Sequence, residues 1–195
     1  MLEILTNPDE FFRKHEDVNF LTALLIVFTS AVLGALMIYA NLDIIESEMI
    51  RHLQQTISIE KARLVFEMMK YYFMITPFIG AFVGWLIISG LIHIVSSVLG
   101  GEGEFSKTLK LTAFGYIPSI VLFPVNFSIV RMTHEFMNPP LMIIGFASTI
   151  WQFLILTFAV KNWRKLDTTK AAISVVVPLV VLTGLSLMGK LLRLR

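Results

Sequence analysis

The sequence contains no cysteine, and only 15% of its 195 residues are charged. Without cysteine the chain has no disulfide, no thiolate metal site and no cysteine nucleophile. An ordinary soluble domain is about a quarter charged, whereas this chain is 56% hydrophobic with a mean hydropathy of +0.77. This composition predicts an integral membrane protein, in contact with a lipid bilayer. The net charge of +2 gives no indication of nucleic-acid binding.

Charged residues are missing from five long stretches of the chain. A bilayer core of about 30 Å needs roughly 20 apolar residues in a helix. Five runs without Asp, Glu, Lys or Arg meet this length: Phe20–Ala40, Tyr71–Leu99, Leu111–Val130, Leu141–Val160 and Ala171–Gly189. We therefore predict an all-α polytopic membrane protein that consists of a single domain, a bundle of five transmembrane helices.

The short loops decide the predicted orientation. Segments 100–110 and 161–170 together carry six basic residues, whereas 131–140 carries one. By the positive-inside rule the two basic loops are cytoplasmic, which places the N-terminus in the cytoplasm and the C-terminus on the opposite side. In a prokaryote this membrane is the plasma membrane. Residues 1–19 are polar ahead of the first apolar run, so we expect no cleavable signal peptide.

Two segments outside the spans are predicted to be helical. In the N-terminal segment 1–19, Asn7 is placed to cap a helix that begins at Pro8, and Phe11 and Phe12 make one side apolar. This pattern predicts a short helix on the membrane surface. In segment 41–70 apolar residues recur every four positions, a second helix follows, and the two form an extramembrane helical hairpin. The hairpin's apolar stripe is covered by its partner helix, by the membrane surface or by another subunit.

The stretch "GGEGEFSKT", residues 100–108, approaches the P-loop pattern G-x-x-x-x-G-K-[ST]. A P-loop needs glycine before the lysine and a strand before the loop. Here Ser106 replaces the glycine, and a hydrophobic helix replaces the strand. Gly100 and Gly101 are better placed to end the second span in left-handed backbone, with Ser106 as the cap of the next helix. We predict a turn, with no nucleotide or other cofactor.

His93 is the one ionisable side chain inside the predicted spans apart from tyrosines. An intramembrane ionisable group is a functional candidate by default. Because the spans hold no carboxylate, we favour a neutral histidine bonded to a neighbouring helix over a proton carrier. The expected partners come from the third and fourth spans: Asn126, Ser128, Ser148, Thr149 and Gln152.

Small residues and prolines mark further candidate packing positions. Gly80 and Gly84 form a GxxxG that lets helices approach closely, within the bundle or between subunits. Pro118 and Pro124 should kink the third span. The four histidines lie in four different segments and no nucleophile motif is present, so we predict no metal site and no catalytic residue.

The order of several short motifs carries a family resemblance. Pro8, Phe11 and Phe12 precede the first span, and the second span runs into "SGLIHIVSSVLGGEGEFSKTLKLTAFGYIP". Within that stretch Gly115, Tyr116 and Pro118 form a "GY…P" element, and a basic loop and "KAAISVVVP" begin the last span. Over nearly its whole length the chain resembles the Yip1 domain family, especially its prokaryotic branch.

The resemblance implies five helices with a cytoplasmic N-terminus. Eukaryotic members bind Rab-type small GTPases and act in traffic between endoplasmic reticulum and Golgi, often in complexes with one another. Those proteins have a longer N-terminal region and a "DLxGP" motif, whereas this chain has about 19 residues there and no such motif. The architecture and the "GY…P" element therefore carry over, and a small GTPase is a partner on family analogy alone.

Two functions remain open at this point. The first is a non-enzymatic scaffold or adaptor within a homo- or hetero-oligomer, which works through the turn 100–110 with the loop 163–170, and through the hairpin 41–70. The second is a small permease or lipid-handling protein, whose path would be lined by His93, Tyr116, Pro118, Asn126 and Gln152. A permease requires a polar cavity at membrane depth, whereas a scaffold can have a dry core.

Overall fold

The computed structural model describes residues 3–136 and 138–193, with side chains described up to residue 181. The described chain is helical. Its α-helices, numbered α1 to α9, are Glu3–Thr6, Pro8–Lys14, Phe20–Ala40, Leu42–Leu53, Ile59–Val98, Phe105–Ala113, Ile117–Thr133, Pro139–Trp163 and Thr168–Arg193.

Five helical segments form the bundle. The first four are α3, α5, the combined segment Phe105–Thr133 and α8, each long and apolar enough to cross a membrane. The fifth is α9, which is apolar over Thr168–Val181 and continues as a helix to Arg193. The predicted all-α architecture is confirmed, and the five predicted spans agree with these four helices and the shorter apolar part of α9.

Helix α5 is much longer than a bilayer requires. Its 40 residues extend about 60 Å at 1.5 Å per residue. It begins after Ser58, whose side chain accepts a hydrogen bond from the Lys61 N–H, and it passes through Pro77 without a break. Helix α4 packs against α5, and Ile44 on α4 and Phe66 on α5 are buried. The predicted hairpin therefore exists, and part of its apolar surface is covered within the chain.

The third span is interrupted near its start. A 3-10 turn over Phe114–Tyr116 separates α6 from α7. Pro118 has no N–H to donate to the Phe114 carbonyl, and that carbonyl accepts instead from the Ile117 N–H, one residue earlier, in the 3-10 turn. The prediction that Ser106 caps the helix after the turn is wrong. Helix α6 begins at Phe105, and its N-cap is Glu104, which has the extended backbone of a cap residue.

Hydroxyl and indole groups hold α5 against α6. The hydroxyls of Ser89 and Thr112 lie 2.5 Å apart, and Trp85 Nε1 donates to the Leu109 carbonyl at 2.8 Å. Farther along α5, a Cβ added to Gly34 of α3 would lie 3.1 Å from Pro77 Cβ. The bundle thus packs closely inside, while many large apolar side chains remain exposed on the outer surface of the helices, where they face lipid.

The N-terminal helix has the predicted start but a different environment. The Asn7 side chain accepts from the Glu10 N–H at 3.3 Å, and Pro8 is the first residue of α2. Phe11 and Phe12, expected to face the membrane surface, are instead buried within the protein. The helix docks on α8, so its apolar side is covered by the end of the bundle.

Candidate functional site

Arg164, which directly follows α8, is fully buried. Its guanidinium points to the turn between α5 and α6. Nε donates to Ser96 Oγ at 3.2 Å, and Nη2 donates to Ser97 Oγ at 2.6 Å. The same guanidinium also donates to the carbonyls of Gly101 and Gly103. These four acceptors are neutral oxygens, so the cation is held by hydrogen bonds rather than by a carboxylate.

The turn that surrounds Arg164 is built on glycine. The Gly100 N–H donates to the Ser97 carbonyl at 3.1 Å, and the Gly101 N–H donates to the Ser96 carbonyl at 2.8 Å. This pair of bonds is the Schellman ending of a helix, and it places Gly100 at φ +92°. A Cβ on Gly101 would lie 2.8 Å from the Ser96 carbonyl oxygen. The first glycine supplies left-handed backbone, and the second supplies the space for a close approach.

The polarity of this turn is opposite to that of a phosphate-binding loop. A P-loop points its N–H groups at an anion. Here the N–H groups of Gly100 and Gly101 bond to α5, and the Glu102 N–H donates to the Arg164 carbonyl at 2.9 Å. The carbonyls of Gly101 and Gly103 point at a cation instead. The near-match "GGEGEFSKT" is therefore an arginine-binding turn.

Burial lowers the pKa of Arg164 from its ordinary value. An arginine nevertheless stays charged in proteins, so the surrounding oxygens must replace the water that the guanidinium loses. The guanidinium presents five donors in a rigid fork, which matches acceptors spread over two serines and two glycines. Arg164 thereby fastens the turn after α5 to the end of α8.

The N-terminal segment packs on the same end of the bundle through aromatic rings. The Phe12 ring lies edge-on to Phe114 at 5.3 Å and to Trp163 at 5.6 Å between ring centroids. The Trp163 Nε1 donates to the His15 carbonyl at 2.6 Å and to the Phe12 carbonyl at 3.2 Å. The residue before Arg164 thus holds the N-terminal segment, as Arg164 holds the turn.

Ion pairs add to this contact. Acidic residues of the N-terminal segment meet lysines of the two basic loops: Asp9 with Lys161 at 2.9 Å, Asp17 with Lys110 at 2.5 Å, and Glu16 with Lys165 at 3.4 Å. We call the assembly of the N-terminal segment 3–19, the turn 99–104 with the start of α6, and the end of α8 with the loop 164–167 the cap. Exposed pairs contribute only about 0–1 kcal/mol each, so they select the docked position more than they stabilise it.

Two of these carboxyl groups have a lowered pKa. For Asp9, the hydrogen bond from Asn162 is the largest cause, followed by that from Lys161. For Asp17, burial raises the pKa, but the hydrogen bonds from Lys110 and the Val18 N–H, together with the charges of Lys110 and Lys107, lower it by more in sum. Both groups are therefore ionised at neutral pH.

His93 meets a different partner from those expected. Its Nδ1 lies 2.9 Å from Thr108 Oγ1, and its ring lies edge-on to Phe105 at 5.5 Å. Both neighbours belong to α6, at the start of the third helical segment, whereas the sequence led us to expect Asn126 or Ser128 farther along that segment, or residues of the fourth span as far as Gln152. The physical reason is position: His93 lies close to the end of α5, so the chain that returns after the turn packs against it.

The "GY…P" element connects three helices. The Tyr116 hydroxyl donates to the Ala81 carbonyl of α5 at 2.7 Å, and a Cβ on Gly84 would lie 3.8 Å from that hydroxyl. On the other side, a Cβ on Gly115 would lie 3.2 Å from Gln152 Nε2 of α8. Pro118 is buried. These residues fasten α5, the 3-10 turn and α8 to one another.

Comparison with known proteins identifies the family. The model of the Yip1 domain matches residues 2–189. The chain belongs to the Yip1 domain family. It is also 36% identical over 123 residues to an uncharacterized protein of Methanocaldococcus jannaschii, which covers 62% of this chain and 81% of that protein. This archaeal relative supports the prokaryotic branch, and no solved structure matches the chain.

Membership places this Yip1 domain among integral, multi-pass membrane proteins, a family that is generally non-enzymatic.

Within the domain, the residues that were predicted to line a transport path lie in separate places. Gln152 borders a cavity of about 50 Å³ with α5 and α9. Asn126 borders a groove of about 200 Å³ between α3 and α7. His93 and Tyr116 border neither space. Gly80 has nothing within 4 Å of an added Cβ in the described part of the chain.

The opposite end of the Yip1 domain carries a polar cleft of about 590 Å³. It lies between α4 and the segment that follows α7. His134 ends α7 in left-handed backbone at φ 55°. The residues that line the cleft are Ser47, Glu48, Arg51, His52, Thr133, His134 and Glu135.

Sequence reasoning missed Arg164 and Trp163 as structural centres. Both were counted only as part of a basic loop, and Thr108 was counted only as part of a turn. One signal was available: the orientation predicted from charge already placed the N-terminal segment and both basic loops on one side. An acidic segment and two lysine-bearing loops on one side predict contact among them, although not which residues make it.

Proposed function

We propose that this Yip1 domain is a non-enzymatic membrane scaffold, and that the cap is its docking surface for another protein. In this proposal the N-terminus and the cap lie in the cytoplasm and, in a prokaryote, the protein resides in the plasma membrane. The observation that carries the proposal is the Arg164 contact, which joins the turn and the loop that the sequence had suggested as one working surface.

The cap has the properties of a preorganised surface. Its inward groups are occupied by Arg164 and Trp163, whereas Glu102, Glu104 and Ser106 are exposed on the outer side of the turn and at the start of α6. Docking on a surface that is already ordered avoids the entropic cost of fixing loops at the moment of binding. A cap held by buried hydrogen bonds therefore suits recruitment of a partner.

The arrangement at membrane depth supports a scaffold over a permease. The residues expected to line a path are divided between two spaces and several helix contacts. The partner that docks on the cap is another protein, and the scaffold itself belongs to a homo- or hetero-oligomer with other membrane proteins. A small GTPase is a further candidate on family analogy alone.

Site-specific photo-cross-linking in the native host tests the proposal. Photoreactive residues at Glu102 and Ser106 probe the cap, one at His52 probes the opposite end, and one at Met142, which is exposed on α8, is the matched lipid-facing control. We expect capture of one defined protein at the cap positions, and of lipid at Met142.

A second variant links the capture to the cap itself. Arg164→Ala should abolish the capture at Ser106, because the turn loses its central hydrogen bonds, whereas Arg51→Ala at the opposite end should preserve it. Capture of only lipids and copies of this chain at every position would contradict the adaptor role and favour the permease.

A further inference from the structure

Helix α5 extends well beyond the bundle at the end remote from the cap. It is antiparallel to α3, and Gly34 of α3 lies against Pro77 of α5. Tyr39 follows that contact by five residues on α3, and Tyr72 precedes it by five residues on α5, so these two exposed tyrosines are at the same depth. Exposed tyrosines are typical of the membrane–water interface. The part of α5 before Tyr72 therefore lies outside the membrane.

Two large apolar side chains are uncovered on this outer part of α5. Leu64 is 63% exposed and Met68 is 73% exposed, and they lie about 12 Å and about 6 Å beyond Tyr72 along the helix axis. Helix α4 packs on the opposite side of α5, where Ala62 and Phe66 are buried. Because α5 leaves the bundle as one unbroken helix, the membrane surface does not reach them either. Of the three covers that the sequence left open, another subunit remains.

The same two side chains begin a stripe that continues along α5 into the bundle. Its members are exposed and recur at intervals of three or four residues: Leu64, Met68, Tyr72, Ile75, Ile79 and Val83. The pattern repeats after 11 residues, which allows two such helices to wind around each other with a right-handed twist. The stripe thus fits a long helix that extends beyond the membrane by the same distance, and α5 of a second copy is such a helix.

The charges beside the stripe are self-complementary. Glu60 and Lys61 lie about 40° and about 60° around the helix from Leu64, on opposite sides of it. Both side chains are exposed, and neither forms an ion pair within the part of the chain that the structure describes. Two copies in one membrane have the same orientation, so a two-fold axis along the membrane normal brings Glu60 of each copy beside Lys61 of the other. Such flanking charges set the register of parallel helix pairs.

We propose that two copies of this chain pair in parallel through α5, along the stripe from Leu64 to Val83. Burial of Leu64 and Met68 against the second copy removes apolar surface from water, a gain that the lipid-facing part of the stripe cannot provide. The reciprocal pairs of Glu60 with Lys61 fix the register. This pairing specifies the oligomer of the proposed function, on which it rests, and it does not depend on docking at the cap.

Disulfide formation tests the pairing, because the chain contains no cysteine and a single-cysteine variant can link only to another copy of itself. The full chain is reconstituted in liposomes at low protein density, oxidised and separated without reductant. At a two-fold axis a residue meets its own counterpart, so Leu64→Cys and Met68→Cys should give linked dimers. We expect linking on the order of tenfold faster than in the controls, because a held pair has an effective concentration that chance collision lacks.

Two exposed residues outside the stripe provide the matched controls. Arg63→Cys is next to Leu64 in the chain but about 100° around α5 from it. Met132→Cys is at the same end of the bundle, on α7. Both thiols meet the oxidant as freely as those on the stripe. Equal linking at all four positions would mean chance collision and would overturn the proposal.

A charge exchange tests the register. In the Met68→Cys chain, Glu60→Lys or Lys61→Glu alone brings like charges together and should slow linking roughly twofold to fivefold, the effect of two exposed ion pairs. Both substitutions together restore the reciprocal pairs and should restore the rate. The exchange also keeps an acid in the first turn of α5, where the helix dipole favours it. A double variant as slow as the single ones would contradict the two-fold pairing.

The other occupants of the stripe are further outcomes. Photo-capture of a different protein at Met68 in the native host, with no linked homodimer in liposomes, would assign the stripe to that protein. No linking at Leu64 or Met68 and no captured protein would leave the stripe to lipid and water. Photo-capture at Ser106 in the same variants reports separately on the cap. If that capture persists while linking at Met68 fails, the α5 contact alone is refuted and the proposed docking stands.

Discussion

Asp9 and Lys161 are separated by 152 residues in the chain, and the Lys161 ammonium lies 2.9 Å from both carboxylate oxygens of Asp9. Asn162 donates to the same carboxylate at 2.8 Å. Asp9 lies in the first turn of α2, where the helix dipole favours an acid. Both donors, Lys161 and Asn162, lie in the last turn of α8. This contact joins α2 to the end of α8 and should respond to pH.

The first prediction concerns acidification. Hydrogen bonds from Asn162 and Lys161 hold the pKa of the Asp9 carboxyl below its ordinary value. A carboxyl group with a lowered folded-state pKa stabilises the docked state fully above its unfolded pKa, and loses that effect as the pH falls through the lowered value. We therefore expect docking of α2 to weaken below about pH 4.

Hydrogen exchange in α2, measured for the wild type and for Asp9→Asn at each pH, checks this prediction because the comparison removes the intrinsic pH dependence of exchange. At pH 6 the variant should exchange faster than the wild type, and at pH 3 the two should converge. The same difference at both pH values would show that ionised Asp9 does not hold the helix.

The second prediction concerns Arg164. Replacement by alanine leaves the acceptors on Ser96, Ser97, Gly101 and Gly103 without their donor, at an expected cost on the order of 3 kcal/mol. Lysine should not restore the stability, because a point charge cannot reproduce a planar fork of donors. Denaturant unfolding in detergent measures the loss. Lys165→Ala is the neighbouring control: its side chain is exposed and its ion pair is 3.4 Å long, so it should change stability by about 0.5 kcal/mol or less.

The third prediction separates the two glycines that end α5. Gly100→Ala should cost about 1–2 kcal/mol, since alanine must adopt left-handed backbone. Gly101→Ala should cost more, because its Cβ would overlap the Ser96 carbonyl and approach Arg164 Nε to 3.2 Å. Gly90, which has nothing within 4 Å of an added Cβ, serves as the helical control, and alanine there should not destabilise. Equal effects at Gly100 and Gly101 would contradict the close approach.

The fourth prediction concerns Phe12. Phe12→Ala removes a fully buried ring and should cost about 3–5 kcal/mol, mostly by releasing the N-terminal segment from Trp163. Limited proteolysis within residues 1–19 and near-UV circular dichroism of the tryptophans report the release. Phe28→Ala, on the exposed side of α3, should leave the cleavage pattern unchanged. Resistance of the Phe12 variant to cleavage would mean that the ion pairs alone hold the segment.

The N-cap residues of α2 and α5 could be predicted from the sequence because each bonds only to residues close to it in the chain. Asn7 and Ser58 each bond to an N–H three residues later, so the spacing in the sequence contains the whole contact. The predicted cap at Ser106 was wrong for the same kind of local reason, since the backbone had already turned at Glu104. His93 was different: its partner depends on which helix returns beside α5.

The sequence by itself determined the class of the protein, its five spans and its helical hairpin, because length, lack of charge and helix caps are properties of continuous segments. Only the tertiary structure decided that Phe12 is buried in the protein rather than in lipid, that a glycine turn binds Arg164 rather than a phosphate, and that Asn126 Oδ1 has no hydrogen-bond partner among the described residues. Those outcomes depend on contacts between residues far apart in the chain. A pattern of apolar and polar residues indicates which side of a helix is covered, but not what covers it.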